Sequence, residues 1–304
     1  MQRGLAITFV SLIAFALLAA AAADAKQFKP NQRVRVLKTL ASAETAGAIA
    51  TATVSCPQAT GHDQRPWRAV SGGFHMFGEF PPYAPPGFTP TTPSGSGVVF
   101  ESLKVGQRSW RVSTQSLWGR IAVKVGVNCQ RGVPKTESAS STVATPGTPQ
   151  VGPEIVARCP SSQAVAGGFS TPPPFTATGA ANTVVGSIPS GKKGWQAQVV
   201  SSQASSLTSY VYCAKRKSAQ VVRSPVGLSY SVATLDGAGA IAGTDPGCHG
   251  RFVPDAGGFS EQGLTSSQYL IPTESRQRGG GWFVGAIKVG SGIPVELDTA
   301  AFCG

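Results

Sequence analysis

The sequence predicts an all-β protein made of three homologous units of five to six strands each. Repetition is the first sign. A cysteine, a Gly-Gly-Phe, a tryptophan and a second cysteine recur three times. They are Cys56, Gly72-Gly73-Phe74, Trp110 and Cys129; then Cys159, Gly167-Gly168-Phe169, Trp195 and Cys213; then Cys248, Gly257-Gly258-Phe259, Trp282 and Cys303. Alternation is the second sign. Ile121, Val123, Val125, Val127 and Cys129 fall on one side of a period-two pattern, with Lys124 and Asn128 on the other, as a half-buried strand requires. The third sign is negative: after the leader, no segment sustains a 3.6-residue apolar period.

Residues 1–25 read as an export signal. Arg3 opens it, Leu5 to Ala23 form the apolar run, and Ala23-Asp24-Ala25 supplies an A-x-A cleavage site. No later segment is long and apolar enough to span a bilayer. The expected location is therefore secreted, periplasmic or at the cell surface. Residues 26–35 form a basic arm with Lys26, Lys29, Arg33 and Arg35.

The first unit is assigned to 36–132, the second to 133–217 and the third to 218–304. Each begins before its first cysteine. The triplets Leu40-Ala41-Ser42, Val143-Ala144-Thr145 and Val232-Ala233-Thr234 all centre 15 residues upstream of that cysteine. The Pro/Ser-rich stretch 132–152 and the segment 218–240 thus belong to the units rather than to free linkers. The period, roughly 85 to 100 residues, far exceeds that of short solenoid repeats.

Within each unit the strand into the first cysteine alternates, as in Ile155, Ala157 and Cys159 against Arg158. Gly-Gly before Phe reads as a bulge or a close backbone approach. The tryptophan opens a strand, with Gly194 and Gly281 marking the preceding turns. The last strand carries the second cysteine on its buried side. Without linkers, and with a small core per unit, the three units are expected to form one body with internal pseudo-three-fold symmetry, in the manner of a β-prism. Its three tryptophans would then meet near an axis. Three separate β-sandwich beads are the alternative.

Six cysteines in an exported chain predict three disulfides. Two symmetric sets remain open. One pairs within copies: Cys56–Cys129, Cys159–Cys213 and Cys248–Cys303. The other joins neighbours: Cys129–Cys159, Cys213–Cys248 and Cys303–Cys56. The in-copy set is favoured because it needs no ring closure and staples Cys303 against fraying.

The pattern Cys159-Pro160, Gly167-Gly168-Phe169-Ser170, Gly194-Trp195 and Val211-Tyr212-Cys213 resembles a repeat of uncharacterised secreted bacterial proteins. Copy three departs from it, with Pro246 before Cys248, and copy one lacks the serine after Phe74. The resemblance implies export and a β-rich repeat, and it transfers no activity.

Net charge is +12, which favours acidic partners: acidic polysaccharide or another cell-surface polymer. Nucleic acid is disfavoured, because the basic clusters lack interleaved aromatics. The shared phenylalanines and tryptophans are expected in the core. Function is expected where the copies differ. Copy one carries an aromatic–proline loop from Phe77 through Phe80 and Tyr83 to Phe88, and it alone has Trp67 and Trp118. These six aromatics form the candidate binding surface. Proline stiffness would present them at low entropic cost.

No catalytic, cofactor or metal motif is legible: no G-x-S-x-G, no Walker A, and no His pair at ligand spacing. A cell-wall or polysaccharide hydrolase, the alternative, would have to gather His62, Asp63 and His75. A protein-binding or inhibitor module using the stiff loop is the third reading.

Overall fold

The computed structural model describes residues 33–59, 65–78, 96–174, 182–214, 227–235, 241–244, 248, 254–290 and 294–303, and every regular element among them is a strand. Copy one supplies β1 (Arg33–Ala43), β2 (Ile49–Ser55), β3 (Trp67–Gly78), β4 (Ser96–Val105), β5 (Ser109–Trp118) and β6 (Ile121–Arg131). Copy two supplies β7 (Thr136–Thr145), the short β8 (Gln150–Val151) and β9 (Ile155–Arg158), β10 (Gln163–Ser170), β11 (Thr183–Ser190), β12 (Gly194–Ser201) and β13 (Ser205–Ala214). Copy three supplies β14 (Gly227–Leu235), β15 (Ile241–Thr244), β16 (Pro254–Gln262), β17 (Tyr269–Arg278), β18 (Gly281–Val289) and β19 (Val295–Cys303). The leader and the first residues of the arm lie outside the described residues.

These strands form three antiparallel sheets. Sheet I runs β1-β6-β3-β17-β18-β15, sheet II runs β2-β5-β4-β10-β13-β7, and sheet III runs β14-β19-β16-β11-β12-β8, with β9 also on β12. Every sheet is half one copy and half another. Copies one and three build sheet I, copies one and two build sheet II, and copies two and three build sheet III. The three strand orders correspond under cyclic exchange of the copies. Separate sandwich beads are thereby excluded, and residues 33–304 form one compact unit.

Where two copies meet in a sheet, the pairing is brief. Phe74 and His75 pair with Ser275 and Glu274 in sheet I. Phe169 and Ser170 pair with Ser102 and Glu101 in sheet II. Phe259 pairs with Ser187 in sheet III. The Gly-Gly pair explains how these seams close. A Cβ on the second glycine (Gly73, Gly168 or Gly258) would fall well under 3.0 Å from the carbonyl oxygen of Ser275, Ser102 or Ser187 across the seam. A Cβ on the first (Gly72, Gly167 or Gly257) would fall inside the indole of Trp110, Trp195 or Trp282 of its own copy. None of the six has positive φ, so the property used is the missing side chain. The bulges lie just upstream, where register shifts between Ala69 and Ser71, Ala164 and Ala166, and Pro254 and Ala256. Positive φ belongs to the hairpin turns before the tryptophans, at Gly106, Gly191 and Gly279, rather than to Gly194 and Gly281.

Each tryptophan pins the two halves of its copy together. Its indole lies on a glycine of one sheet while its strand belongs to the next. Its Nε1–H donates to the seam serine of its own copy: Trp110 to Ser102 at 3.1 Å, Trp195 to Ser187 at 2.9 Å, Trp282 to Ser275 at 3.1 Å. The polar end of each buried ring is thus satisfied, as burial demands. The expectation that the tryptophans gather at an axis is corrected. Trp110 packs edge-on against Tyr212 at 5.8 Å and Trp195 against Phe302 at 6.2 Å, in each case an aromatic of the following copy. Phe169 of sheet II and Phe259 of sheet III meet between sheets, edge-to-face at 6.5 Å. Phe74, Phe169 and Phe259 are each no more than 2% exposed, and burying such a ring contributes about 2 kcal/mol.

Two disulfides follow the in-copy pattern, Cys56–Cys129 and Cys159–Cys213, which overturns the neighbour set. Cys248 is also disulfide-bonded. The side chain of Cys303 lies outside the described residues. Cys56 follows β2 of sheet II and Cys129 sits in β6 of sheet I; Cys159 follows β9 of sheet III and Cys213 sits in β13 of sheet II. Each bridge therefore ties together the two sheets its copy helps to build.

Candidate functional site

The three sheets share a frame but not a charge. The strands of sheet I hold nine Lys and Arg (Arg33, Arg35, Lys38, Arg68, Lys124, Arg131, Arg276, Arg278, Lys288) against one acid, Glu274. Those of sheet II hold two cations, Lys104 and Arg111, against Glu101 and Glu137. Those of sheet III hold one, Arg158, against Asp255, Glu261, Glu296 and Asp298. Arg131 and Lys288 are buried, and the side chains of Arg33, Arg35 and Lys38 lie outside the described residues; Arg68, Lys124, Arg276 and Arg278 against Glu274 still mark sheet I as the basic side.

The difference is sharpest at the seams, on the side of each sheet opposite the phenylalanines. Register sets Lys124, His75 and Glu274 in one row across β6, β3 and β17. His75 Nε2 lies 3.7 Å from Glu274 Oε2. Glu274 Oε1 is held by Arg276 Nε. Arg278, one turn of the pleat further on, stacks its guanidinium over the Phe283 ring at 4.9 Å. Burial pushes the His75 imidazole below its ordinary range. Glu274 opposes that shift, while Arg276, Lys124 and Arg278 reinforce it.

The equivalent row of sheet II is a hydroxyl network around a bidentate ion pair. Arg111 Nε and Nη2 donate to Glu101 at 2.6 and 2.8 Å, and Ser113 Oγ donates to the same carboxylate at 2.9 Å. Thr51 and Ser113 share a hydrogen bond at 3.0 Å, Ser170 and Tyr210 at 3.2 Å, and Thr142 and Thr208 at 2.9 Å. In sheet III the row holds Ser260 opposite Asp298, and Gln262 Nε2 donates to Asp298 at 2.5 Å. Its neighbour Glu261 is buried. Oε2 accepts the Leu270 N–H at 2.7 Å and Oε1 has no partner. Burial raises this carboxyl well above the usual range, and the Leu270 bond only partly offsets it.

Of the six candidate aromatics, Trp67 is buried at 4% exposure, with the Arg131 guanidinium 5.9 Å from its ring. It is therefore part of the packed interior of sheet I. Phe77 and Trp118 end strands β3 and β5, and their side chains lie outside the described residues, as do Phe80, Tyr83 and Phe88 altogether. In the chain, Phe80, Tyr83 and Phe88 follow β3, which ends at Gly78. His62 and Asp63, the other members of the hydrolase trio, also lie outside the described residues. His75 finds its carboxylate in another copy, on Glu274. Among the described residues no group of three His, Cys, Asp or Glu is placed to hold a metal ion.

Glu274, Arg276 and the three indole-bound serines had not been singled out from the sequence. A signal was present: Ser102, Ser187 and Ser275 stand eight, eight and seven residues before their tryptophans, and the residue before each is Glu101, Gly186 and Glu274. No protein-family model matches the chain, and no curated protein matches it.

Proposed function

We propose that this is an exported, disulfide-stapled binding protein whose sheet I side takes an acidic polymer, with an acidic polysaccharide of the cell surface as partner. The observation that carries this reading is the segregation of charge. Leaving out the buried Arg131 and Lys288, the described side chains of sheet I hold Arg68, Lys124, Arg276 and Arg278 against Glu274, while sheet III holds Arg158 against four acids. A concentrated positive face attracts polyanions over a distance of about a Debye length, and more strongly at low salt. The bridges Cys56–Cys129 and Cys159–Cys213 fit an oxidising compartment. Among the described residues no helix is long and apolar enough to cross a membrane. The copy-one segment that follows β3 in the chain carries Phe80, Tyr83 and Phe88, residue types that stack on sugar rings.

Retention of the full chain on immobilised polygalacturonate tests the reading. Lys124→Glu combined with Arg278→Glu should lower affinity more than tenfold at low salt, with little change in thermal stability. Arg111→Gln in sheet II should leave it within about twofold, because Arg111 lies outside the face and is already paired with Glu101. Equal retention of the Lys124/Arg278 double variant and the wild type would rule out this face.

A further inference from the structure

We propose that His75 makes the polyanion face of sheet I responsive to acid: protonation of its imidazole adds a cation to the row and tightens the hold on a sulfated or carboxylated chain. This rests on the reading of sheet I as the binding side. The argument starts from position. His75 is flanked by Lys124 on β6 and by Glu274 on β17, at the short spacing of directly opposed residues. The groups facing it are Lys124 from one side and Glu274, Arg276 and Arg278 from the other. Glu274 is the only negative charge among them, and Arg276 already engages it. A charged imidazole therefore enters a row with more cations than anions, so the unliganded protein favours the neutral ring.

An arriving anion reverses that balance. Sulfate or carboxylate groups laid along the row supply the negative charge that Glu274 alone does not. Binding and protonation are then linked, each favouring the other. The device is specific to this side, because the equivalent seam positions of the other sheets are Ser170 and Ser260, which do not titrate in this range. Among the three equivalent seam positions, acidification thus adds a cation at this one alone.

Dextran sulfate is the probe, because its sulfates stay ionised throughout the range and any pH effect belongs to the protein. Affinity of the full chain should rise about three- to tenfold from about pH 8 to about pH 5.5 at fixed salt, the effect of one added charge near the ligand. His75→Gln should flatten this response. His75→Lys should hold the tighter value at both ends. His249→Gln should keep the wild-type response. The NMR titration of the His75 ring should move to higher pH when the polymer is added. Wild-type binding that is equally tight at both pH values, or a His75→Gln variant that keeps the full response, overturns the role of His75 and leaves the binding face standing. No binding of the wild type at either pH overturns the face itself.

Discussion

Sheets I and III are built to the same plan and do different things with it. Both place a phenylalanine against a seam serine, both seat a glycine under a neighbouring carbonyl, and both join strands of two copies. On the opposite side they diverge. Sheet I presents Lys124, His75 and Arg276 around one carboxylate; sheet III presents Ser260, Asp298 and Gln262. The interior answers to packing and tolerates almost no variation. The outer row answers to solvent and ligand, and each copy can change it without disturbing the frame.

Loss of a disulfide is the strongest way to break the equivalence of the frames. Cys56→Ala with Cys129→Ala, and Cys159→Ala with Cys213→Ala, should each cost about 4 kcal/mol in the chain-entropy model, since the closed loops of 73 and 54 residues differ little on a logarithmic scale. Urea unfolding measures both. A difference of several kcal/mol between the two pairs would show that the frame is not shared. Next in size are the seam glycines. Gly73→Ala in sheet I and Gly258→Ala in sheet III force a methyl group against backbone, with no flexible side chain to yield. About 3 kcal/mol is expected from each, and a neutral Gly73→Ala would refute the close approach.

Titration gives the smallest effects and the clearest contrast. His75 has a depressed folded value, so its contribution is present above the unfolded value near 6.5 and is lost as pH falls through the folded one. Glu261 has a raised folded value, so its contribution is full below the unfolded value near 4.5 and is lost as pH rises through the folded one. His75→Gln should therefore reduce the loss of stability on acidification, and Glu261→Gln the loss on going from acid to neutral pH. Thermal melts across pH separate the two. Same-sign responses would contradict the opposite electrostatics of the sheets.

The frame was readable in the sequence because its marks are local and repeated. The cysteines, the Gly-Gly-Phe and the tryptophans recur in one order in all three copies, and symmetry left only two pairings to choose between. The seams were not readable in the same way. His75 and Glu274 are adjacent only because β3 of the first copy pairs with β17 of the third, and no periodicity records which copy a strand will pair with. The basic face was hidden for the same reason. Its cations are scattered from Arg68 to Arg278 and gather only once the strands are sorted into sheets. The indole-bound serines were hidden by abundance, in a chain where serine is everywhere. The Gly-Gly pair was legible as a close approach, but its two partners, one indole and one foreign carbonyl, required the fold.

The exchange of strands between copies also closes the chain on itself. In an open stack of repeats, units can be gained or lost at either end, and the remaining ones keep their neighbours. Here the first copy completes its sheet with the last, so the chain is a closed circuit. Removing one copy would strand two half-sheets with bare edges, and a fourth appended at the end would find no half-sheet waiting for it. A copy therefore cannot be lost from this ring without opening two of its sheets.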